Sequence, residues 1–200
     1  MVVKISYKEQ YMEKLKNMMV IIMIAFCLIV VSACTKPKIY EIGDRGPAGG
    51  FIFYDKGSVS DGWRYLEAAP ANTEFNAEWG ADGTDVPRIQ TGIGTGKANT
   101  QIIVNSLQQL GETGRAAQRC VTLNIGGKKD WFLPSIDELD LMYENLHLRG
   151  LGDFSTTSFY WSSSQDDSSD YTAWGQNFVN GSQDNYFKSN PSRVRVVRAF

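Results

Sequence analysis

The residues with the most chemical potential lie in "TGIGTGKANT", Thr91–Thr100, where three glycines and a lysine fall within ten positions. Such a loop could curl its amides around a phosphate. A Walker-type loop, however, needs Gly, four residues, Gly-Lys and then a Ser or Thr hydroxyl for magnesium. Thr91 stands where the first glycine belongs, and Ala98 where the hydroxyl belongs. The dinucleotide spacing G-x-G-x-x-G fails too, because Gly92 and Gly94 require a glycine at the position of Lys97. Nucleotide binding is therefore set aside. The glycines instead permit a tight loop that leads into a helix and offers its amides to carboxylates from another segment.

Other catalytic groups are sparse. His147 is the single histidine, placed near the end of a helical stretch, where a histidine is more often a solvated or helix-end residue than a catalytic one. A serine hydrolase would need it as base, and no G-x-S-x-G elbow is present. A zinc site would have to rest on carboxylates alone. Asp137/Glu138 and Asp166/Asp167 are adjacent acids, and adjacency does not set the separation across a cleft that glycoside hydrolysis needs. They read as a helix start and a loop. No catalytic residue, metal ligand or cofactor is assigned, and the expectation is a protein that is not an enzyme.

The strongest chemical signal lies near the front. Met18–Val31, "MMVIIMIAFCLIVV", is an unbroken apolar run preceded by Lys14 and Lys16. It is short of the roughly 20 residues a bilayer-spanning helix takes, but it suits a signal-peptide core. It ends in "VSAC", Val31–Cys34, which resembles the bacterial lipobox: small residues fit the peptidase, and the Cys34 thiol forms the thioether to a diacylglycerol carrying palmitate-type chains. Several acyl chains, at about 0.8 kcal/mol per buried methylene, make a durable membrane anchor. Met12 would give a tidier basic leader than Met1. Thr35, rather than Asp, follows the lipid cysteine, and this leads to an expectation of outer-membrane or cell-surface delivery. Cys27 lies in the leader, so Cys120 is the one thiol of the remaining chain and is read as a small buried hydrophobe.

The net charge of −2 divides into four Lys against two Glu in the first 34 residues, which leaves the remainder at −4. Basic residues there are dispersed. Nucleic acid, whose phosphates need clustered cations, is excluded as a partner.

The elements that must position all this follow from periodicity. Residues 1–34 form the leader, 35–42 a tether and 43–200 a single globular domain. Gly43, Gly46 and Gly49 are spaced by threes, too few for a collagen triple helix. "FIFYD" and "WRYLEAA" predict a hairpin with a longish loop ending in Asp61-Gly62, and Trp79–Gln90 is turn-rich. Ile102, Ile103, Leu107 and Leu110 share a helical face, with Asn99 as expected N-cap and Gly111 as stop. After Pro134, Ser135 with Glu138 makes a capping box ahead of the stripe Ile136, Leu139, Met142, Tyr143, Leu146. Short strands "FYWSSS", "TAWGQNFVN" and "RVRVVRAF" follow, joined by polar loops at Gln165–Thr172 and Asn180–Pro191.

Four motifs in order, "DWFLPSIDEL" (Asp130–Leu139), "YWSSS" (Tyr160–Ser164), "AWGQNF" (Ala173–Phe178) and "RVRVVRAF" (Arg193–Phe200), resemble the family typified by the C-terminal domain of the collagen-like adhesin Lcl, a bacterial domain of unknown function. "IGDRGPAGGFIFYD" and "IGTGKANT" are similar to the N-terminal half of spirochaete-type lipoproteins of this kind. Phe132 stands where that family commonly has Arg. More distantly, the pattern resembles C-type-lectin-like folds and the formylglycine-generating enzymes, whose cysteine pair is missing here. The resemblance implies an α+β fold with two or three helices packed on short, mostly antiparallel strands with long polar loops. It implies structural roles for Trp131, Trp161 and Trp174 around the capped helix, and for Arg195 on the terminal strand, with the terminal arginines paired to loop acids. The expected function is a non-catalytic adhesin-like domain that binds a glycan or a protein through its C-terminal loops. Asp166, Asp167, Asp170, Tyr171, Gln176, Asn177, Gln183, Asp184, Asn185 and Tyr186 are the candidate contacts, since such composition suits adaptable hydrogen bonding around aromatics. The alternative is an envelope structural or assembly lipoprotein without an external ligand.

Overall fold

The computed structural model describes residues 7–32 and 38–200, with backbone alone over 24–32. The chain divides into two units, Met1–Ile39 and Tyr40–Phe200. In the first, helix α1 (Tyr7–Ser32) covers the expected leader core. Among the described residues no helix is long and apolar enough to cross a membrane. Cys34, the expected lipidation site, lies outside the described residues.

The second unit is α+β, as the sequence predicts. Strands β1 (Phe51–Ser60), β2 (Trp63–Ala68) and β8 (Val197–Ala199) form an antiparallel sheet in the order β1-β2-β8. A five-stranded sheet runs β3-β7-β4-β5-β6, from β3 (Phe75–Ala77), β7 (Ser192–Val194), β4 (Phe159–Gln165), β5 (Thr172–Asn177) and β6 (Gln183–Phe187). Its β4–β7 pair is parallel and its other pairs are antiparallel. Three helices pack on these sheets: α2 (Gly96–Gln109), α3 (Ala116–Cys120) and α4 (Ile136–Asn145). One apolar cluster gathers Ile103 and Leu107 of α2, Ala116 and Cys120 of α3, and Trp161. The other gathers Leu139 and Met142 of α4 with Phe53, Leu66 and Phe178.

Several local expectations are corrected. The β1–β2 loop is not long: β1 continues to Ser60, which pairs with Trp63. Asp61 and Gly62 alone make the turn, both at positive φ (53° and 81°), as a tight hairpin requires. Helix α2 starts earlier than expected, with Thr95 as its N-cap. Asn99 lies inside the first turn, where its side chain bonds the amide and carbonyl of Gln90 and the Ser163 hydroxyl. The stretch Asn180–Pro191 is not all loop, because β6 forms within it and pairs with β5 over five positions. "RVRVVRAF" is not one strand. It breaks at Arg195-Val196, β7 belonging to one sheet and β8 to the other. Trp131 and Trp161 pack in the α2 cluster rather than around α4, and the half-buried Trp174 packs on the α4 cluster.

Candidate functional site

The capped helix fixes the framework of the site. Ser135 Oγ accepts from the Glu138 amide at 3.2 Å, and Glu138 Oε2 accepts from the Ser135 amide at 2.8 Å. Pro134, buried, precedes the cap. Glu138 also accepts the Gly94 amide at 2.8 Å, so the glycine loop does offer its amides to a distant carboxylate. A Cβ on Gly96 would lie 2.2 Å from Glu138 Oε2, which explains the absence of a side chain there. Burial lifts the Glu138 carboxyl to about 7, against the pull of the Ser135, Gly94 and Gly96 amides.

This loop forms one wall of a groove made of three adjoining hollows. The central one, about 510 Å³, is lined by Asp61, Trp63, Gly94, Lys97, Gln101 and Phe132, among others. It shares Trp63 and Gly94 with a hollow of about 360 Å³ that adds Tyr54, Lys56 and Ile93. It shares Lys97 and Phe132 with a third, about 220 Å³, that adds Lys129, Asp130 and Trp131. The Lys56 ammonium sits 4.1 Å from the Trp63 ring centre and is tied to Ser60 O and Asp61. Lys97 and Lys129 are exposed, and among the described residues they make no hydrogen bond or ion pair. Asp130 is committed to Arg198 by two bonds of 2.9 Å. Burial raises its carboxyl, but the Arg198 contact outweighs this and leaves it below the usual range.

The ten candidate contacts of the C-terminal loops separate into two groups. Asp166 is buried and accepts from the Ser168 amide and hydroxyl, the Thr172 hydroxyl and the Asn185 amide group. Burial pushes its carboxyl up, and those four bonds bring it below the usual carboxylate range. Gln176 is fully buried and donates to Asp140 at 2.5 Å and to Gly181 O at 3.2 Å. Asn177 is half-buried and accepts from the Val179 amide, while the Tyr186 ring lies tilted against Phe159 with ring centres 3.8 Å apart. Asp167, Asp170, Tyr171, Gln183, Asp184 and Asn185 are exposed. The fold brings the β4–β5 loop beside β6, but none of the ten lines the hollows above.

The remaining chemical groups are structural. Arg195, 1% exposed, bonds Glu74 at 2.8 Å and the carbonyls of Ala69 and Gly152, with Phe154 under its guanidinium. Arg193 joins the other Glu74 oxygen at 3.0 Å, so both arginines pair with an acid as expected. Cys120 is buried, and burial pushes its thiol up, away from reactivity. His147 lies against Tyr143, Phe154 and Phe178. The serines of "YWSSS" are spent on structure: Ser162 donates to Trp174 O, Ser163 receives Asn99, and Ser164 accepts the first amide of α4.

Sequence reasoning missed three features. Glu67 is fully buried and accepts the amides of Ala48 and Gly50, so the glycines at 46 and 50 wrap a carboxylate. Trp63 reads in the sequence only as a strand residue, whereas the fold makes it a groove wall. Lys188 is fully buried among oxygens, and burial lowers its ammonium to about 8 against the fields of Asp170, Asp85, Asp82 and Glu112. The only sequence signal for it is strand alternation, which puts position 188 on the inward face with Tyr186.

No curated protein matches the chain. A family model, the Lcl C-terminal domain, matches residues 70–198, and on that match the chain belongs to the Lcl C-terminal domain family.

Proposed function

We propose that this protein is a non-catalytic binding domain of the bacterial envelope, anchored by lipid at Cys34, that recognises a glycan or a protein at its surface. Family membership supports a domain of the bacterial surface or secreted type. The lipobox-like ending supports the anchor and an outer-membrane or cell-surface location. The observation that carries the binding role is the groove, where the Trp63 ring, the Phe132 floor and the unpaired Lys97 and Lys129 face one concavity. An apolar wall with a few fixed polar groups is the usual build of a ligand site. Its walls are held rigidly, since Gly94 packs against Trp63 and is bonded to Glu138. The exposed side chains of the β4–β5 loop and β6 offer a second, shallower contact surface.

The test is an array of glycans and matrix proteins probed with the full chain, the Trp63→Ala variant and a variant with Asp170 and Tyr171 changed to alanine. Loss of at least tenfold in affinity with Trp63→Ala, the cost of removing a central aromatic anchor, places binding in the groove. Loss only with the loop variant places it on the C-terminal loops. No binding by a folded wild-type chain to any component favours the alternative, an envelope assembly lipoprotein, and crosslinking in cells would then find its bacterial partners.

A further inference from the structure

Lys188 has no exposed surface and no ion pair among the described residues. Its Nζ donates to Asp170 O at 2.7 Å, Gln165 Oε1 at 2.8 Å and Thr84 O at 2.9 Å, with Ala81 O at 3.4 Å. The Trp79 ring closes one side, its centre 4.9 Å away. The three short bonds use all three ammonium protons.

The oxygens are held from behind. Gln165 Oε1 also accepts the Val86 amide at 2.9 Å, and Gln165 Nε2 donates to Asp85 at 2.7 Å, which fixes the oxygen toward the lysine. Ala81 is buried at φ 54°, a conformation that costs an L-residue energy and persists only where surroundings enforce it. The lysine backbone joins the same segments, its amide bonding Tyr171 O at 2.9 Å and its carbonyl the Trp79 amide at 3.0 Å. Neutral oxygens converging on one positive charge, with acids beyond them, form the donor set that proteins present to bound cations.

We propose that this chamber is a cation site whose resident cation is the Lys188 ammonium, and that it holds the 81–86 and 166–171 segments together without a metal ion. Asp167, Asp170 and Tyr171 are thereby presented on a loop ordered from within. Vacated, the site takes a small monovalent cation, potassium or an alkylammonium, because its direct ligands carry no charge.

The test uses the full chain in detergent, with amide hydrogen exchange as readout. In Lys188→Ala, exchange at 81–86 and 166–171 accelerates about tenfold or more while α4 and β1 stay as in wild type, the pattern of a local opening. Potassium or methylammonium slows it again relative to choline at matched ionic strength. Calcium and chelator leave wild-type exchange unchanged. Uniform acceleration across the molecule, no rescue by either cation, or a wild-type loop that loosens in chelator overturns the proposal. If Lys188→Ala does not fold, Gln165→Leu removes one oxygen while keeping the lysine. Faster exchange confined to the two segments supports the proposal, and unchanged exchange there defeats it.

Discussion

Glu138 and Glu67 explain the glycine content of this chain better than any ligand does. Each is a fully buried carboxylate clasped by the amides of a glycine-rich stretch, Gly94 for one and Ala48 and Gly50 for the other. At Gly96, a methyl would meet Glu138 Oε2 at 2.2 Å and Leu133 O and the Ser135 amide at 2.8 Å, so Gly96→Ala should cost about 3 kcal/mol. Urea unfolding measures this, and a loss under about 0.5 kcal/mol, the range of an indifferent surface change, would show that the clasp has slack. The Glu138 carboxyl also sets a pH dependence. Its folded value of about 7 lies above its ordinary 4.5, so between those values the folded state holds more protons than the unfolded one. This group's contribution therefore falls as pH rises from 4.5 through 7. Asp55, Asp130 and Asp166 act with the opposite sign, since their carboxyls lie below 3.8 and their stabilisation is lost as pH falls through their folded values. Denaturation midpoints taken at pH 5 and pH 8 should show a smaller decline in Glu138→Gln than in wild type. Equal declines would assign the effect to other groups.

At the scale of the element, α4 is the part most visible in the sequence. Its cap, acids and apolar stripe all act within four residues of one another, and local interactions need no tertiary partner to be inferred. Ser135→Ala removes one side of the capping box and the Ser135 bond to Gly92 O, and should cost about 1–2 kcal/mol. The same variant should loosen the glycine loop, read as faster exchange at the Gly94 amide. The terminal strand is the contrary case. Alternating Val and Arg read as one strand, yet Arg195 bonds Glu74, Ala69 O and Gly152 O at the point where the chain leaves one sheet for the other. Arg195→Met leaves the Ala69 and Gly152 carbonyls without their donor and Glu74 with Arg193 and the Tyr160 hydroxyl, and should cost about 3–5 kcal/mol. Adding Glu74→Gln should recover part of that loss, because the two sites are coupled. Simple additivity of the two variants would count against the pairing.

For the whole molecule, the family match begins at residue 70, whereas the compact unit begins at Tyr40. Strands β1 and β2 lie before the match, yet β2 pairs with β8 over three positions and supplies the fully buried Leu66. A chain trimmed to 70–200 would bare the β8 edge and the Phe53–Leu66 side of the second cluster. It should fail to fold cooperatively, a result that circular dichroism melting reads directly, and a sharp transition near that of the full chain would contradict it. The groove depends on the same long-range closure. Trp63 comes from β2, Lys97 from α2 and Lys129 from the segment before α4, and only the packed sheet brings them to one concavity.

By itself the sequence determined the α+β class, a hairpin between the two early β-rich runs, the capped helix α4, the offer of the glycine loop's amides to a carboxylate of another segment and the family motifs, most of them carried by residue types and spacings local to one stretch. The lipobox-like ending at Cys34, on which the proposed anchor rests, is likewise a matter of local residue types. Only the tertiary structure decided that the terminal strand divides between two sheets, that Asp166 and Gln176 are spent inside the fold, that Lys188 is buried among carbonyl oxygens, and that Trp63 overlooks a groove. Most of these depend on contacts across many tens of residues, and even Asp166, held by Ser168, Thr172 and Asn185, needs β6 packed beside its loop. A buried lysine and a solvated one look alike in a sequence, because the difference between them lies in oxygens contributed by distant segments.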